Sequence, residues 1–425
     1  MNRGFYTIMA AQFFSSLADN ALLVVAIALL IDLHAPAFLI PLLKFVFVLF
    51  YVILAPFVGA FADSMPKGRV MFISNTVKIV GCGLLFLAMH QYSALLAYAV
   101  IGLGAAAYSP AKYGILTELL PPEKLVIANG WIEGLTVASI VLGTVLGGTL
   151  ITPAVSQYLL AQDLPLVDTA TEISIFIVAI IYVAAAIFNL FIPNTGIDHR
   201  IPKKNPFYLI QEFAHCVKLL WTDKLGQISL AVTTLFWGAG ATLQFIVIEW
   251  AEVALDFQLN KAAQLQGVVA LGIAIGAVMA ARMIALKQSL SVIPMGFATG
   301  LVVIVMIFVH DLWTAIFLLI LIGGMAGFFV VPMNALLQHR GHILMGAGHS
   351  IAVQNFNENL SILVMLSLYA LLIFFEVHIY AVIVLFGVFM TIIMALVRKW
   401  HNSNQSKEDS LHLIGTRKLD RRWRQ

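Results

Sequence analysis

The chain reads as an all-α membrane protein of twelve transmembrane helices in two six-helix halves. Three observations predict it. Hydrophobic residues fill 61% of the 425 positions and charged residues only 11%, against about 25% charged in soluble domains. A water-soluble globule of this length has too little interior to hide so much apolar surface. The apolar stretches are about 20 residues or longer, the length that crosses about 30 Å of hydrocarbon. They carry Gly and other small residues at intervals that suit close helix packing, and they lack the ten-residue alternation of a membrane β-barrel.

Taken in order, the spans cover about 5–31, 36–62, 70–89, 93–117, 125–151, 171–192, 226–254, 264–286, 291–309, 313–339, 343–374 and 378–400. The first is too long for the apolar core of a cleaved leader and has no small-residue cleavage site. Short loops with Pro, Asp or His separate the spans. The longest interruption, 193–225, holds Arg200, Lys203, Lys204 and Pro206, then a segment at 207–221 that suits an amphipathic helix on the membrane surface. The organisation is therefore an N-terminal six-helix half at 1–195, an inter-half loop at 196–225, a C-terminal half at 226–400 and a basic tail at 401–425. Cys82 falls within a span and Cys216 on the loop side, so no disulfide framework is expected.

Lys and Arg give the orientation. One set of loops holds Lys67, Arg69, Lys124, Arg200, Lys203, Lys204, Lys218, Arg282, Lys287 and Arg340, and the tail adds Arg398, Lys399, Lys407, Arg417, Lys418, Arg421, Arg422 and Arg424. The opposite loops hold Asp32, Asp163, Asp168, Glu172, Asp256, Asp311 and Glu376, with Lys261 the single base. An even number of spans then places both termini in the cytoplasm. The basic tail is either a contact for anionic lipid or a solvated topology signal.

An internal repeat supports the two halves. Gly102, Pro110, Lys112 and Glu118 around span four recur as Gly324, Pro332, Asn334 and Arg340 around span ten, at the same offsets. Trp131-Ile132-Glu133 is echoed by Phe356-Asn357-Glu358, with a link three residues longer in the second half.

A charge at the bilayer centre costs about 2.5–3.5 kcal/mol on insertion scales. Asp19, Lys44, Lys78, Lys112, Glu133, Glu249 and Glu358 all fall within spans, so they face one another or a wet cavity. Asp19 is a ligand for a cationic group, a proton carrier, or one side of a structural ion pair within the first half; Asn20 sits beside it. Lys112 is a ligand for phosphate or the partner of Glu118 or Asp19, and Pro110 bends its helix. Asn129 and Glu133, Gln354 and Glu358, and Asn355 and Asn359 are each four apart and share a helical face. Those stripes suit either a polar head group or interhelical hydrogen bonding. Glu252 reads as interfacial and Glu249 as deeper.

The loop after span two, Gly59-Ala60-Phe61-Ala62-Asp63-Ser64-Met65-Pro66-Lys67-Gly68-Arg69, resembles the loop motif of the major facilitator superfamily, Gly-x-x-x-Asp-Arg-x-Gly-Arg. Ser64 stands where the motif has Arg, and the Gly-Arg pair comes two residues late. Twelve spans, the parallel six-span repeat and this loop together imply that fold, with substrate at the midplane. The resemblance implies that Gly59, Asp63, Lys67, Gly68 and Arg69 govern gating.

Other chemistry is not expected. The sequence has no Gly-x-x-x-x-Gly-Lys phosphate loop, no metal-ligand spacing among His and Cys, and no His followed five residues later by the Asp of a glycerolipid acyltransferase. No catalytic residue, cofactor or nucleic-acid partner is called for. More specifically, the segments 18–23, 55–59, 62–64, 67–71, 104–116, 236–240, 327–338 and 351–355 resemble the bacterial lysophospholipid transporters. That likeness covers most of residues 5–400. It implies inward flipping of lysophospholipids, chiefly lysophosphatidylethanolamine, across the inner membrane for re-acylation by a partner acyltransferase/acyl-carrier-protein synthetase. The expected substrate contacts are Asp19, Asn20, Lys112, Glu133, Gln244, Glu249, Asn355 and Glu358. Gln244 stands where such a transporter is expected to carry Arg. The alternative on the same fold is a proton-coupled exporter of drugs or small metabolites.

Overall fold

The computed structural model describes residues 3–36, 39–161, 167–196, 205–257, 259–407 and 410–414. Arg200, Lys203 and Lys204 of the linker, Asp163, the Lys261 side chain, and Arg417, Lys418, Arg421, Arg422 and Arg424 of the tail lie outside the described residues.

Among the described residues the elements are α1 (Arg3–Asp32), α2 (Leu39–Ile53), α3 (Ala55–Asp63), α4 (Lys67–Phe86), α5 (Gln91–Leu119), α6 (Leu125–Leu150), α7 (Pro153–Leu160), α8 (Ala170–Leu190), α9 (Pro206–Thr222), α10 (Gly226–Leu255), α11 (Leu259–Met283), α12 (Ile293–Ile304), α13 (Leu312–Met345), α14 (Ala347–Phe374) and α15 (Ile379–Lys407). Among the described residues eleven segments are long and apolar enough to cross a bilayer, and twelve when the bent pair α2–α3 is taken as one span.

That pair departs from the single span expected at 36–62. It bends by 64°. Pro56 stands at the start of α3 and has no N–H to offer the preceding turn, while its ring crowds the carbonyl there. The Leu54 carbonyl instead takes the amides of Phe57 and Val58 at 2.9 and 3.0 Å. The last spans also shift. A loop near 340–342 was expected, but α13 runs on to Met345, and the break falls at Gly346, whose φ of +94° suits glycine. At 34 residues, α13 is about 51 Å long and overreaches a ~30 Å core. The amphipathic segment of the linker is the helix α9. The short helix α7 was not anticipated.

The chain forms two compact units: residues 1–119, 138–214 and 347–352, and residues 120–137, 215–346 and 353–425. In the first, α1, α4, α5 and α8 enclose Leu22, Val25, Leu30, Tyr98, Ile101 and Val178. In the second, α11 and α13 make the most extensive contact, and glycines permit it. A side chain on Gly276 would run into the Gly324 carbonyl, and one on Gly327 into the Ile273 carbonyl. Within lipid, such close approach replaces the hydrophobic drive that helices lack there.

Gly276→Val should therefore cost about 1–3 kcal/mol by overpacking, seen as an earlier thermal melt of the detergent-purified protein. Gly83→Ala, at a position with nothing within 4 Å, should melt within about 0.5 kcal/mol of the parent. Equal melts would show that the α11–α13 approach is not limiting.

Candidate functional site

The first unit gathers charge around Asp19, in the middle of α1. The Lys78 ammonium donates to Asp19 Oδ1 at 2.8 Å and to Oδ2 at 2.9 Å, and the Tyr182 hydroxyl donates to Oδ1 at 2.6 Å. Lys78 also donates to Ser15 Oγ at 3.0 Å, and Ser15 donates on to Asn75 Oδ1 at 2.9 Å. Local periodicity aligns these groups. Ser15 and Asp19 are one turn apart on α1, and Asn75 and Lys78 three apart on α4. Gly104 of α5 makes room for the base, because a side chain there would meet Lys78 Cγ at 2.8 Å. The ammonium lies 5.0 and 5.4 Å from the centres of the Tyr108 and Tyr182 rings, within cation–π range.

The pair is asymmetric: the Lys78 side chain is 1% exposed and that of Asp19 22%. The base is enclosed, and the carboxylate keeps an open edge with its charge already balanced. The base that Asp19 meets is thus Lys78, where the sequence reading had set Lys112 against it. Lys78 reaches Asp19 past Gly104, whereas Lys112 stands eight residues, about 12 Å, further along α5. Lys112 is half-buried, with its ammonium 4.2 Å over the Tyr113 ring. Asn20 turns its amide back to the Ser16 carbonyl at 2.8 Å.

The loop motif forms a second cluster in the same unit. Asp63 Oδ1 lies 2.6 Å from the Lys67 ammonium and accepts from the Gly348 amide at 2.7 Å; Oδ2 accepts from the His349 amide at 3.1 Å and lies 2.7 Å from its Nδ1. A carboxylate therefore caps the N-terminus of α14, where the helix dipole favours it. Gly59 brings α3 against the same turn: a Cβ there would stand 3.0 Å from Ala352 Cβ and His349 Cα. Lys67 also donates to the Ala62 carbonyl at 2.6 Å and lies 3.3 Å from Glu118 Oε1. Thr195 donates to Glu118 Oε2 at 2.9 Å, and Glu212 stands 4.0 Å from His349 Nε2. Ser64, at the motif's Arg position, donates to the Phe61 carbonyl at 2.7 Å and closes α3. Gly68 seats α4 on the end of α8, where a Cβ would come 2.9 Å from Ile192 Cβ, while Arg69 is exposed.

The second unit contains a chain of acids and amides. Asn334 donates to Glu133 Oε1 at 3.4 Å; Gln354 donates to Asn334 Oδ1 at 3.0 Å and to Glu358 Oε1 at 2.7 Å. Asn129 and Gln338 exchange two bonds of 2.9 Å. Glu133 and Glu358 are thereby joined, and each of α6, α13 and α14 contributes a pair of polar residues four apart. Asn355 is buried, and its carbonyl accepts from Asn359 at 2.8 Å. Glu249 stands apart, accepting from the Tyr369 hydroxyl at 2.6 Å. Gln244 is exposed, its carbonyl accepting from Gln266 at 2.7 Å. Arg340, expected in a loop, is helical and grips Asp223 through Nε at 3.1 Å and Nη2 at 2.6 Å, a bidentate pair.

Sequence reasoning left Ser15, Lys78, Tyr182 and His349 out of the candidate sites, and it did not see Asn334 and Gln338 as a stripe. Lys78 was legible as a base too costly to leave in lipid, and Asn334 with Gln338 by the same four-residue spacing. His349 carried no local signal, because its partner Asp63 is 286 positions away.

Lys78→Met should leave Asp19 uncompensated and cost about 3–5 kcal/mol, read from thermal melts of purified protein. Combining it with Asp19→Leu should recover most of that loss. A double variant no more stable than the single would mean that the pair is not the source of the effect.

The family model of the Major Facilitator Superfamily matches residues 8–364. The human organic anion transporter MFSD10 superposes with a TM-score of 0.71 at 15% identity, covering 93% of this chain and 100% of that one. The superfamily transporter FucP does so with a TM-score of 0.71 at 13% identity, covering 93% and 98%. At those identities the likeness is one of fold. Relatives named lysophospholipid transporter LplT are much nearer in sequence. The Yersinia enterocolitica protein is 40% identical over 88% of each chain, and the Photorhabdus laumondii protein 40% identical over 94% of this chain and 96% of its own. With these matches in sequence and in fold, the chain is a multi-pass membrane transporter that belongs to the major facilitator superfamily, within the family of the LplT proteins.

Proposed function

We propose that this chain carries lysophospholipids, chiefly lysophosphatidylethanolamine, inward across the bacterial inner membrane by alternating access, and hands them to a separate acyltransferase/acyl-carrier-protein synthetase for re-acylation. One observation carries the reading: 40% identity along nearly the whole chain to proteins named for that substrate. The geometry supports it. The open edge of Asp19 accepts a hydrogen bond from a head-group donor, and Lys112 offers phosphate a point charge. Because Lys78 already balances Asp19, the carboxylate receives an ammonium or a hydroxyl without needing a net charge on the ligand. The Gly59–Asp63–Lys67 cluster then opens and re-forms in each cycle. The distribution of Lys and Arg puts both termini in the cytoplasm.

The same Asp19–Lys78 pair favours a second reading, proton-coupled export. A proton on Asp19 would release Lys78 and couple a gradient to movement.

Four outcomes follow from the first reading. Cells with this protein should take up labelled lysophosphatidylethanolamine, cells without it should not, and an equal signal in both would end the proposal. Uptake lost on collapsing the proton gradient would bring coupling into the mechanism. Lys112→Ala should slow every phosphate-bearing lysolipid about tenfold or more, the equivalent of about 1.4 kcal/mol; parental rates for all of them would remove Lys112 from the site. Gly59→Leu should slow transport with binding nearly intact, and a pure affinity loss would move the loop into the site. Reporter fusions after residue 400 and within 193–225 should both read cytoplasmic, and a periplasmic signal from either would overturn the orientation.

A further inference from the structure

The loop-motif cluster holds one side chain of the type that changes charge between about pH 5 and 8, the buried His349 in the first turn of α14. It stands between carboxylates from two different elements. Nδ1 lies 2.7 Å from Asp63 Oδ2 of α3, and Nε2 lies 4.0 Å from Glu212 Oε2 of the linker helix α9.

Asp63 selects the tautomer of the ring. Its carboxylate already accepts from the Lys67 ammonium and from the Gly348 and His349 amides. It is therefore an ionised acceptor, and Nδ1 carries the hydrogen that meets it. In the neutral ring Nε2 then presents a lone pair to Glu212, acceptor against acceptor. A second proton makes Nε2 a donor and puts a positive charge within ion-pair distance of Glu212. The bond from Nδ1 to Asp63 becomes charge-assisted at the same time.

The surroundings favour that charge. α3 brings Asp63, α5 brings Glu118 and α9 brings Glu212, and among the described residues the permanent cation paired with this cluster is Lys67 of α4. Arg69 of α4 and His215 and Lys218 of α9 are exposed. Close packing ties the ring to the gate. A Cβ on Gly59 would stand 3.0 Å from His349 Cα, and one on Gly114 would stand 3.1 Å from Ala347 Cβ. The two amides that Asp63 caps belong to this same turn, so ring and backbone leave the carboxylate together when the turn leaves α3.

We infer that His349 is a proton-sensitive pin in the gate. Protonated, it ties α9 to the loop-motif cluster and holds the cluster assembled. Neutral, it bonds Asp63 alone and lets the turn part from α3 more readily. The sign follows from linkage: the added proton meets carboxylates at both nitrogens only in the assembled cluster, so it favours assembly. Acidification on the cytoplasmic side then slows a carrier that has to part this contact in each cycle. The inference rests on the proposed opening and re-forming of the Gly59–Asp63–Lys67 cluster.

Hydrogen exchange reads the pin directly, because the Gly348 and His349 amides donate to Asp63. The full chain is measured in nanodiscs without substrate, and each rate is corrected for the chemical exchange rate at that pH. Protection of residues 347–352 should rise roughly fivefold or more between about pH 8 and pH 5.5, the low end of coupling between linked sites. Glu212→Gln, which removes the carboxylate facing Nε2, should flatten the rise, and His349→Gln should abolish it. Uptake of labelled lysophosphatidylethanolamine into proteoliposomes should fall over the same range in the parent and stay level in both variants. Protection that is constant or falls on acidification in the parent would overturn the pin, as would the parental pH profile in both variants. If His349→Gln does not fold, the profile of Glu212→Gln decides alone. Exchange is read without transport, so a proton-dependent gate in a protein that takes up no lysolipid would count against the proposed function and leave the pin standing.

Discussion

A charge placed in hydrocarbon has to be matched within hydrogen-bonding distance, and much of the polar architecture answers to that constraint. Desolvation of a lone carboxylate or ammonium would exceed what a single helix contributes. Asp19 and Lys78 meet it as a pair, with Tyr182 donating to the carboxylate and Ser15 accepting from the ammonium. Arg340 and Asp223, at the end of their spans, pair bidentately. Glu133 and Glu358 take amide donors from Asn334 and Gln354. Each solution fixes the rotation of the helices that carry it, since a slip of one residue turns a side chain by about 100° away from its partner.

The backbone obeys the same rule through different residues. Gly104 clears a path for Lys78, Gly276 and Gly327 let α11 and α13 meet at backbone distance, and Gly59 sets α3 against the first turn of α14. Small residues thus decide which polar groups come within reach of one another. The break at Leu54 shows the opposite case, in which Pro56 removes a donor and the span bends.

Much of the fold was legible because a bilayer imposes one length and one composition on every span. The limits of α6, α8 and α10 sit close to the hydrophobic boundaries for that reason. The end of α13 was not legible: residues 340–342, Arg-Gly-His, are polar enough to suggest a loop, yet the helix continues through them to Met345. The candidate sites were legible by residue type and not by partner. Asp19 announced itself as costly, but which base faced it depended on Gly104 and on the packing of α4 beside α5. In the same way nothing in the sequence around Asp63 revealed that it caps a helix beginning at residue 347.

The membership of the two compact units bears on how the polypeptide matures. Residues 120–137 belong by sequence to the first six helices yet are counted with the later ones, and residues 347–352 cross in the other direction. A ribosome that has released only the first six helices has therefore produced a body whose Asp63 has no helix terminus to cap and whose Lys67 carries that carboxylate alone. The cap on Asp63 can form only once residues 347–352 have been made, so a chain interrupted before α14 lacks the amides that this carboxylate meets.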